Sequence, residues 1–173
     1  MKLIDATRCP YCARVRIALA EKGVEHDVTE VDLSDRPDWL RELNPPHGRV
    51  PVLDGLPESE VIMELLEEIH PDPALLPSDP TARARARLMV HRFDANLGDD
   101  YYAFRRGDPN DLDAKLNALD VGQSLFADIA YLPWIIRARD MLDVALPARI
   151  ADWLAEHEQR PSVAAEVEIV RGL

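Results

Sequence analysis

The sequence predicts an α/β domain followed by an all-α domain, and three observations lead to this fold class. In the first 76 residues, short runs with the two-residue period of strands alternate with runs of helical period. Four prolines then fall within ten residues, at positions 71, 73, 77 and 80, and exclude a continuous helix there. Beyond them every periodic segment is helical. We therefore predict an α/β sandwich over 1–76 and a helical bundle over 77–173.

The predicted elements of the first domain alternate in a simple order. Strands are expected at 2–5, 26–31 and 50–53, and helices at 10–22, from Asp35 to about 44, and from Ser59 onward. Asn44-Pro45-Pro46 ends the second helix, because the residue before a proline avoids the helical conformation. Asp54-Gly55 predicts a tight turn after the third strand, and Ser59 is expected to cap the last helix.

The second domain is expected to hold helices at about 81–105, 111–121, 125–142 and 147–158. Apolar residues make up 47% of the chain, enough to bury a core. No apolar run is long enough for a membrane span and the N-terminus lacks a secretory pattern, so we expect a cytoplasmic protein with no membrane partner. A net charge of −12 repels phosphate backbones and disfavours a nucleic-acid partner.

The only two cysteines, in Cys9-Pro10-Tyr11-Cys12, stand where the first strand turns into the first helix. A disulfide between cysteines that are separated by only two residues closes a very short loop, so it would stabilise the fold very little. A structural zinc site needs more ligands than this pair offers, and no second Cys pair or spaced His pair completes one. A redox or nucleophilic thiol remains as the functional interpretation. Two small cysteines buried in a helix start are the structural alternative.

The residues around the pair favour a reactive thiol. Pro10 suits the first helical position and Gly23 the end of the helix, which places Cys9 at the N-cap. Backbone N–H groups and the positive end of the helix dipole then stabilise a thiolate, and the nearby Arg8, Arg14 and Arg16 are expected to add to this. We predict that Cys9 is an exposed nucleophile. Cys12, one turn further and less accessible, is the predicted resolving thiol.

Several motifs, in this order and spacing, resemble the cytosolic glutathione transferases. They are the CPYC helix start, Asn44-Pro followed by Val50-Pro51-Val52-Leu53, the Glu58-Ser59 step, and Ile62-Met63-Glu64 ahead of the prolines. The resemblance implies a thioredoxin-like N-terminal domain, a helical bundle, glutathione as cosubstrate and a homodimer. A cysteine as the catalytic residue is similar to omega-class and glutaredoxin-like members.

The resemblance also implies a role for each matching position. Val50 would pair its backbone with the cysteinyl part of glutathione, and Pro51 would be a cis proline. Glu58 and Ser59 would bind the γ-glutamyl end, although without the resemblance they are simply a helix cap. Arg36 would hold the glycyl carboxylate, or else be a solvated charge. Tyr11 would border the ligand or cover the edge of the sheet.

Other positions depart from the family pattern. The fourth strand of the sheet is expected to be nearly lost, because few residues separate Pro51 from Glu58. Leu125 replaces the Ser or Thr that often precedes the aspartate corresponding to Asp128, which we interpret as structural and capped through Ser124. A second-substrate pocket would draw on Tyr101, Tyr102 and Trp134, which are alternatively core residues.

Two classes of function follow. The first is a glutathione-dependent thioltransferase that acts on a small disulfide or electrophilic substrate through the Cys9 thiolate, with no metal and no organic redox cofactor. Conjugation is a subsidiary form of this hypothesis. The alternative is a binding module that resembles stringent starvation protein A, which associates with RNA polymerase and lacks the reactive cysteine. An iron–sulfur cluster shared by two chains is a minor option. No histidine is assigned a catalytic role, and the acceptor is not predicted.

Overall fold

A computed structural model describes residues 1–173 and divides the chain into two units. The first unit covers Met1–Ala74 and the second Leu75–Leu173. The sequence placed this division between residues 76 and 77. The first unit contains a mixed sheet with helices, whereas the second contains helices only, so the predicted fold class is confirmed. No helix is both long and apolar enough to cross a membrane.

The sheet of the first unit has four strands in the order β2-β1-β3-β4. They are Lys2–Asp5 (β1), Asp27–Glu30 (β2), Val52–Leu53 (β3) and Leu56–Pro57 (β4). Strand β1 pairs parallel with β2 and antiparallel with β3. The turn between β3 and β4 uses Asp54 and Gly55, both with positive φ, as a two-residue hairpin of this kind requires. With two residues, β4 is as short as predicted.

Three helices accompany the sheet: Pro10–Glu21 (α1), Asp38–Leu43 (α2) and Ser59–Ile69 (α3). Two of them differ from the prediction at their first residues: α2 begins later, and α3 begins one residue earlier. Helix α2 does not start at Asp35, because Pro37 excludes a helical conformation at the residue before it and is itself an extended N-cap. In α3 the N-cap is Glu58 with φ of 71°, and Ser59 is the first helical residue rather than the cap.

Lys22 joins the ends of α1 and α3. Its ammonium group is enclosed, donates to the carbonyl oxygens of His70 at 2.6 Å and Pro73 at 3.0 Å, and pairs with Glu67 at 2.6 Å. All three donors of the ammonium group are therefore satisfied, which a buried lysine requires. This arrangement holds the chain at the end of the first unit against α1.

The second unit contains six helices and one π-helical turn. They are Pro80–His91 (α4), the π turn Asp94–Gly98, Asp99–Arg106 (α5), Leu112–Ala118 (α6), Leu125–Leu142 (α7), Ala148–His157 (α8) and Pro161–Arg171 (α9). The single helix expected over 81–105 is thus interrupted. Gly98 permits the interruption, since a Cβ atom there would lie 2.7 Å from the Phe93 ring. Helix α7 has the predicted bounds, and α9 was not predicted.

Helix α7 is the centre of the second unit. All residues from Phe126 to Ala138 are buried, including the Trp134 ring, whose centroid lies 4.2 Å from that of Phe93. Helix α9 packs on α7, where the Arg137 guanidinium pairs with the Glu166 carboxylate at 3.0 Å and both side chains are almost fully enclosed. Removal of either partner would leave the other charge buried without compensation, which is strongly destabilising.

Candidate active site at the start of helix α1

Cys9 occupies the N-cap of α1, as predicted. After β1 the chain turns tightly, with the Cys9 N–H donating to the Ala6 carbonyl at 2.8 Å, and Cys9 takes an extended conformation with φ of −82° and ψ of 119°. Pro10 is the first helical residue. No side chain caps this helix start and no acidic residue lies in its first turn. The amino end of α1 is therefore available to a negative charge on Cys9.

The two thiols differ in burial. Cys9 is 7% exposed and Cys12 is fully enclosed. Cys12 is therefore the less accessible thiol, as predicted, but the expectation of an exposed Cys9 sulfur is wrong for this structure. Cys9 lies in an apolar cluster with Ile4, Ala6 and Val52, because the strand-to-helix turn folds over the sheet. Neither cysteine is in a disulfide.

The surroundings of Cys9 favour its thiolate. A hydrogen bond from the Cys12 thiol is the largest effect, burial opposes it, and the backbone N–H groups of Cys12 and Tyr11 assist; together they lower the pKa of Cys9 to about 7. Cys9 therefore ionises more readily than a free thiol. Burial and the bond to Cys9 raise the pKa of Cys12 well above its ordinary value. The pair combines one ionisable thiol with one that stays protonated.

The three arginines near the motif do not act on Cys9 as predicted. Arg16 binds both carboxylate oxygens of Asp5, at 2.7 and 2.9 Å. Arg14 is buried and donates to the Ser59 hydroxyl at 3.3 Å, while Arg8 is exposed. Asp5 itself raises the pKa of Cys9. The main groups that lower the pKa of Cys9 are the Cys12 thiol and the backbone N–H groups of Cys12 and Tyr11, whereas Arg14 and Arg16 each bind an oxygen elsewhere.

Val50 and Pro51 lie beside the nucleophile. The Val50 carbonyl oxygen is 3.8 Å from the Cys9 sulfur, and the Val50–Pro51 peptide is cis, as the resemblance implies. Val50 is 8% exposed and Pro51 is buried. The structure thus brings together the thiol and the backbone segment that was expected to pair with a cysteinyl group.

The start of α3 is linked to the CPYC helix by a buried cation. Arg14 donates to Ser59 and its guanidinium lies over the Tyr11 ring, 5.1 Å from the centroid. Ser59 is buried, whereas Glu58 is exposed and makes no side-chain cap. Sequence reasoning assigned Arg14 to the thiolate and missed this link. The three-residue spacing of Tyr11 and Arg14 on one helix was the signal that could have indicated it.

Arg36 lies apart from these contacts. Its side chain is exposed in the segment before α2 and donates one long hydrogen bond, of 3.5 Å, to the His47 carbonyl. No polar contact joins Arg36 to Cys9, Val50 or Ser59. Its role at the site stays a prediction.

The three aromatic candidates belong to the second unit. Tyr101 is 3% exposed and Trp134 is fully buried, so both are core residues. The Trp134 indole donates to the hydroxyl of the half-buried Tyr102 at 3.3 Å. Burial raises the pKa of Tyr101. The core interpretation therefore applies to Tyr101 and Trp134, while a pocket role for Tyr102 stays a prediction. No group of three or more His, Cys, Asp or Glu side chains is placed to hold a metal ion.

Residues 3–74 match the family model of the glutathione S-transferase N-terminal domain. Pyrimidodiazepine synthase of Drosophila melanogaster is 33% identical over 129 residues, which cover 70% of this chain and 51% of the fly protein. The stringent starvation protein A homolog of Coxiella burnetii is 43% identical over 57% of this chain and 49% of that protein. Mouse glutathione S-transferase omega-2 is 36% identical over 49% of this chain and 36% of its own length. In such matches the chain spans about half the length of its curated relatives, or less.

Solved structures extend the similarity to the whole chain. Glutathione transferase Omega 1C of Trametes versicolor superposes with a TM-score of 0.79 and 25% identity, over 99% of this chain and 93% of that one. Rice GST1, solved in complex with glutathione, gives a TM-score of 0.77 and 27% identity over 99% of this chain and 94% of that one.

Proposed function

We propose that this chain, whose residues 3–74 match the family model of the glutathione S-transferase N-terminal domain, is a glutathione-dependent thioltransferase of the cysteine type. One observation carries this proposal: the Cys9 thiol, with its pKa lowered to about 7, stands at the amino end of α1 and 3.8 Å from the Val50 carbonyl. A thiolate attacks the sulfur of a disulfide directly, a reaction to which a serine or tyrosine hydroxyl is not suited.

The proposed ligand contacts combine this geometry with the family resemblance. The backbone of Val50, before the cis Pro51, would pair with the cysteinyl part of glutathione next to Cys9. The γ-glutamyl carboxylate would lie at the start of α3 near Ser59, and its ammonium group near Glu58. Arg36 would meet the glycyl carboxylate, and Tyr11 would border the ligand. The glutathione bound to rice GST1 supports glutathione as the cosubstrate here.

The proposed reaction exchanges one disulfide for another. The Cys9 thiolate attacks the glutathionyl sulfur of a mixed disulfide, the S–S bond breaks, and the acceptor thiol leaves with the electron pair as a thiolate. The thiolate of a second glutathione then attacks the glutathionyl sulfur on Cys9. Oxidised glutathione leaves and the Cys9 thiolate is restored. No electron donor other than glutathione is needed.

Cys12 offers a slower second route. It would attack the sulfur of Cys9, release glutathione and leave a Cys9–Cys12 disulfide that further glutathione reduces. Attack requires the Cys12 thiolate, and burial raises the pKa of Cys12 far above neutral pH. We therefore expect the second glutathione, rather than Cys12, to complete most turnovers.

The deciding experiment compares Cys9→Ser with Cys12→Ser on the mixed disulfide of glutathione and mercaptoethanol. Cys9→Ser should lower kcat/KM by at least about a hundredfold, since the nucleophile is gone, and Cys12→Ser should retain most of the activity. Mass spectrometry after treatment with oxidised glutathione should place the adduct on Cys9. Full activity of Cys9→Ser would show that the mechanism is wrong.

A binding module is the second candidate, and the 43% identity to the Coxiella burnetii stringent starvation protein A homolog favours it. In that case the chain would associate with RNA polymerase and have no use for a reactive thiol. Titration of Cys9 separates the two hypotheses. A pKa near the free value together with no retention on a glutathione resin would favour the module.

We also propose a homodimer, as the family resemblance implies, and a cytoplasmic location, where reducing conditions keep both thiols free. Sedimentation of the purified chain measures the first directly. A monomer at all concentrations would contradict it.

A further inference from the structure

Strand β2 is an open edge of the sheet in the first unit. In the strand order β2-β1-β3-β4 it pairs with β1 alone, so no strand of the chain lies on its outer side. The Asp27 and Val31 N–H groups donate inward to carbonyl oxygens of the β1 chain, at 2.8 and 2.9 Å. Because successive N–H groups of a strand point in opposite directions, those of Val28 and Glu30 point away from β1. Their main-chain groups can pair with another strand.

The opposite edge of the sheet is different. Strand β4 consists of Leu56 and Pro57 only, and helix α3 begins two residues later. Proline has no N–H to donate, and a strand of two residues offers little length for pairing. Strand β2 has four residues and contains no proline. The sheet can therefore be extended at β2, whereas extension is hindered at β4.

The side chains along β2 are largely exposed. Val28 is 53% exposed, more than any other large apolar side chain of the chain. Asp27 and Glu30 are exposed as well, and Thr29 is half-buried. A further strand would place a side chain beside Val28, and such cross-strand pairs are the contacts that stabilise a sheet. Val28 is thus exposed at the position where an added strand would cover it.

The charges along this edge are mostly of one sign. Residues 25–35 contain no lysine or arginine and five exposed acidic residues, which are Glu25, Asp27, Glu30, Asp32 and Asp35. Two basic residues lie nearby, Lys2 opposite Asp27 in the register and Arg8, which acts electrostatically on Asp32. Two copies of this strand would repel each other, because like charges opposite one another destabilise a strand pair. The edge favours a basic partner strand instead.

A groove of about 600 Å³ lies where β2 begins, and its lining consists of Met1, Val24, Glu25, His26 and Asp27. The His26 ring is held there by a hydrogen bond of 3.0 Å between its Nδ1 atom and the Val24 carbonyl. Met1 and Val24 make the groove apolar on one side, whereas Glu25 and Asp27 add carboxylates. A lysine or arginine side chain suits these surroundings, since its hydrocarbon stem packs on apolar groups while its charged end binds carboxylates.

We propose that β2 binds an extended segment of a partner protein as a fifth strand, and that basic and apolar residues alternate in this segment. Its main chain pairs with the outward groups of Val28 and Glu30, which supplies affinity. Because side chains alternate along a strand, apolar residues of the segment lie on the Val28 face and basic residues on the Asp27 face, with one of them in the groove. The proposal uses no residue of the thiol site and does not rest on the thioltransferase function.

A lysine–valine peptide tests the proposal on the full chain. The probe is a fluorescein-labelled heptapeptide with blocked ends in which lysine alternates with valine, and fluorescence anisotropy measures its Kd. In the control peptide the five central amide nitrogens are methylated, which removes the N–H donors of both edges and keeps every charge. The unmodified peptide should bind at least about tenfold more tightly, because the control loses two or more main-chain hydrogen bonds. A glutamate–valine peptide should not bind.

Amide hydrogen exchange, measured by NMR, locates the bound peptide. The outward N–H groups of Val28 and Glu30 should exchange about tenfold more slowly when the lysine–valine peptide is present at ten times its Kd. The N–H of Thr29 points toward β1 and serves as the internal reference, since its hydrogen bond is already formed without the peptide.

Variants of the edge test the same contacts. Val28→Pro removes one outward N–H and leaves the bonds between β2 and β1 in place, which an edge strand tolerates. It should weaken binding of the lysine–valine peptide at least about tenfold, whereas the control Val28→Thr keeps the N–H and should stay within about threefold. Glu25→Lys should weaken binding about fivefold. Glu68→Lys makes the same charge change on α3 and should leave the Kd nearly unchanged. Melting temperatures check that each variant folds.

Four results would overturn the proposal. Equal affinity of the methylated peptide, or full affinity of a folded Val28→Pro variant, would show that no strand is added. Equal binding of the glutamate–valine peptide would show that the edge does not select basic residues. A dimer that Val28→Pro converts into a monomer, with no peptide bound by the wild type, would make the edge a surface for a second copy of the chain. If Val28→Pro does not fold, Glu25→Lys and amide exchange decide in its place.

Discussion

Helices α1 and α7 begin in contrasting ways. Both follow an N-cap residue with an extended backbone, Cys9 in one case and Ser124 in the other. The Ser124 hydroxyl accepts from the Ala127 N–H at 3.2 Å, and the buried Asp128 accepts from the Gly122 N–H at 2.8 Å. At α1 no side chain caps the helix.

The difference separates a structural helix start from a reactive one. A side-chain cap satisfies the first N–H groups of a helix and stabilises it, but it also occupies the donors that an anion would use. At α7 these donors are closed by Ser124, and the helix is the buried centre of its unit. At α1 they remain directed at the Cys9 sulfur, where they lower its pKa. The start of α1 is therefore less stable than a capped helix start, but it stabilises a thiolate.

The largest expected effect is on stability, from removal of Asp128 at the start of helix α7. Asp128→Ala leaves the Gly122 N–H without its acceptor and His157 without its carboxylate, so we expect the free energy of unfolding to fall by about 2–3 kcal/mol. Urea denaturation measures it. Asp120→Ala, on the exposed segment before α7, is the control and should change stability by less than about 0.5 kcal/mol. Equal losses in the two variants would refute the assigned role of Asp128.

The next largest expected effect is on the pKa of Cys9 at the start of helix α1, from removal of the Cys12 thiol. The hydrogen bond from Cys12 is the main reason why the pKa of Cys9 is about 7, so Cys12→Ala should raise that pKa toward or beyond its ordinary value. The rate of iodoacetamide alkylation as a function of pH reports it. Cys12→Ser keeps a hydroxyl donor and should retain most of the lowering. If the alanine variant titrated like the wild type, the backbone N–H groups alone would account for the thiolate.

The two helix starts should also respond to pH with opposite signs. Burial lowers the pKa of His157, but its bonds to Asp128 and to the Trp153 carbonyl outweigh this and raise the pKa overall. Its contribution to stability is therefore complete below the unfolded pKa of about 6.5 and lost as pH rises through the folded pKa. The pKa of Cys9 is lowered on folding, so its effect has the opposite sign. Its contribution to stability is complete above the pKa of the unfolded state and is lost as pH falls through about 7.

Urea titrations over a pH series check this contrast. In His157→Gln the loss of stability with rising pH should disappear, and in Cys9→Ala the gain with rising pH should disappear. A pH profile that neither variant alters would mean that other groups dominate it.

Substitution of the N-cap residue of either helix should have the smallest effect on the free energy of unfolding. Ser124→Ala removes a cap and should lower the free energy of unfolding by about 1 kcal/mol. Cys9→Ser introduces a good cap and should raise it by about 0.5 kcal/mol at pH 5, where Cys9 is protonated in the wild type, while activity is lost. Both are measured by urea denaturation, with Ser34→Ala on an exposed turn as a reference. A stability loss in Cys9→Ser would contradict the contrast between the two helix starts.

Local signals predicted the parts of the fold that depend on neighbouring residues. The N-cap at Cys9, the Asp54-Gly55 hairpin turn and the bounds of α7 are all confirmed, since each depends on a few adjacent residues. Helix α9 also had a signal, Pro161 at its first position followed by Val163, Val167 and Val170 on one face. Glu166 interrupts the apolar pattern on that face. The structure shows why a carboxylate can be buried there, since it pairs with Arg137.

Parts of the site could not be derived in this way. The partners of Arg14 and Arg16 lie on other elements or in the strand before the motif, so their proximity to Cys9 in the sequence was a poor guide to their charge effects. Burial of Cys9 depends on Val50 and Val52, which lie just before and within β3, far from Cys9 in the sequence. The π turn of the second unit interrupts a segment whose periodicity predicted one continuous helix.

Within single segments, the sequence alone determined where strands turn into helices and which thiol stands at a helix start, because capping, turn chemistry and helix dipoles act over a few residues. The tertiary structure decided how far Cys9 is buried, which oxygens the arginines bind, and which strand lies at the open edge of the sheet. These features depend on distances between residues far apart in the chain. Packing of the core sets those distances, and no local pattern encodes them.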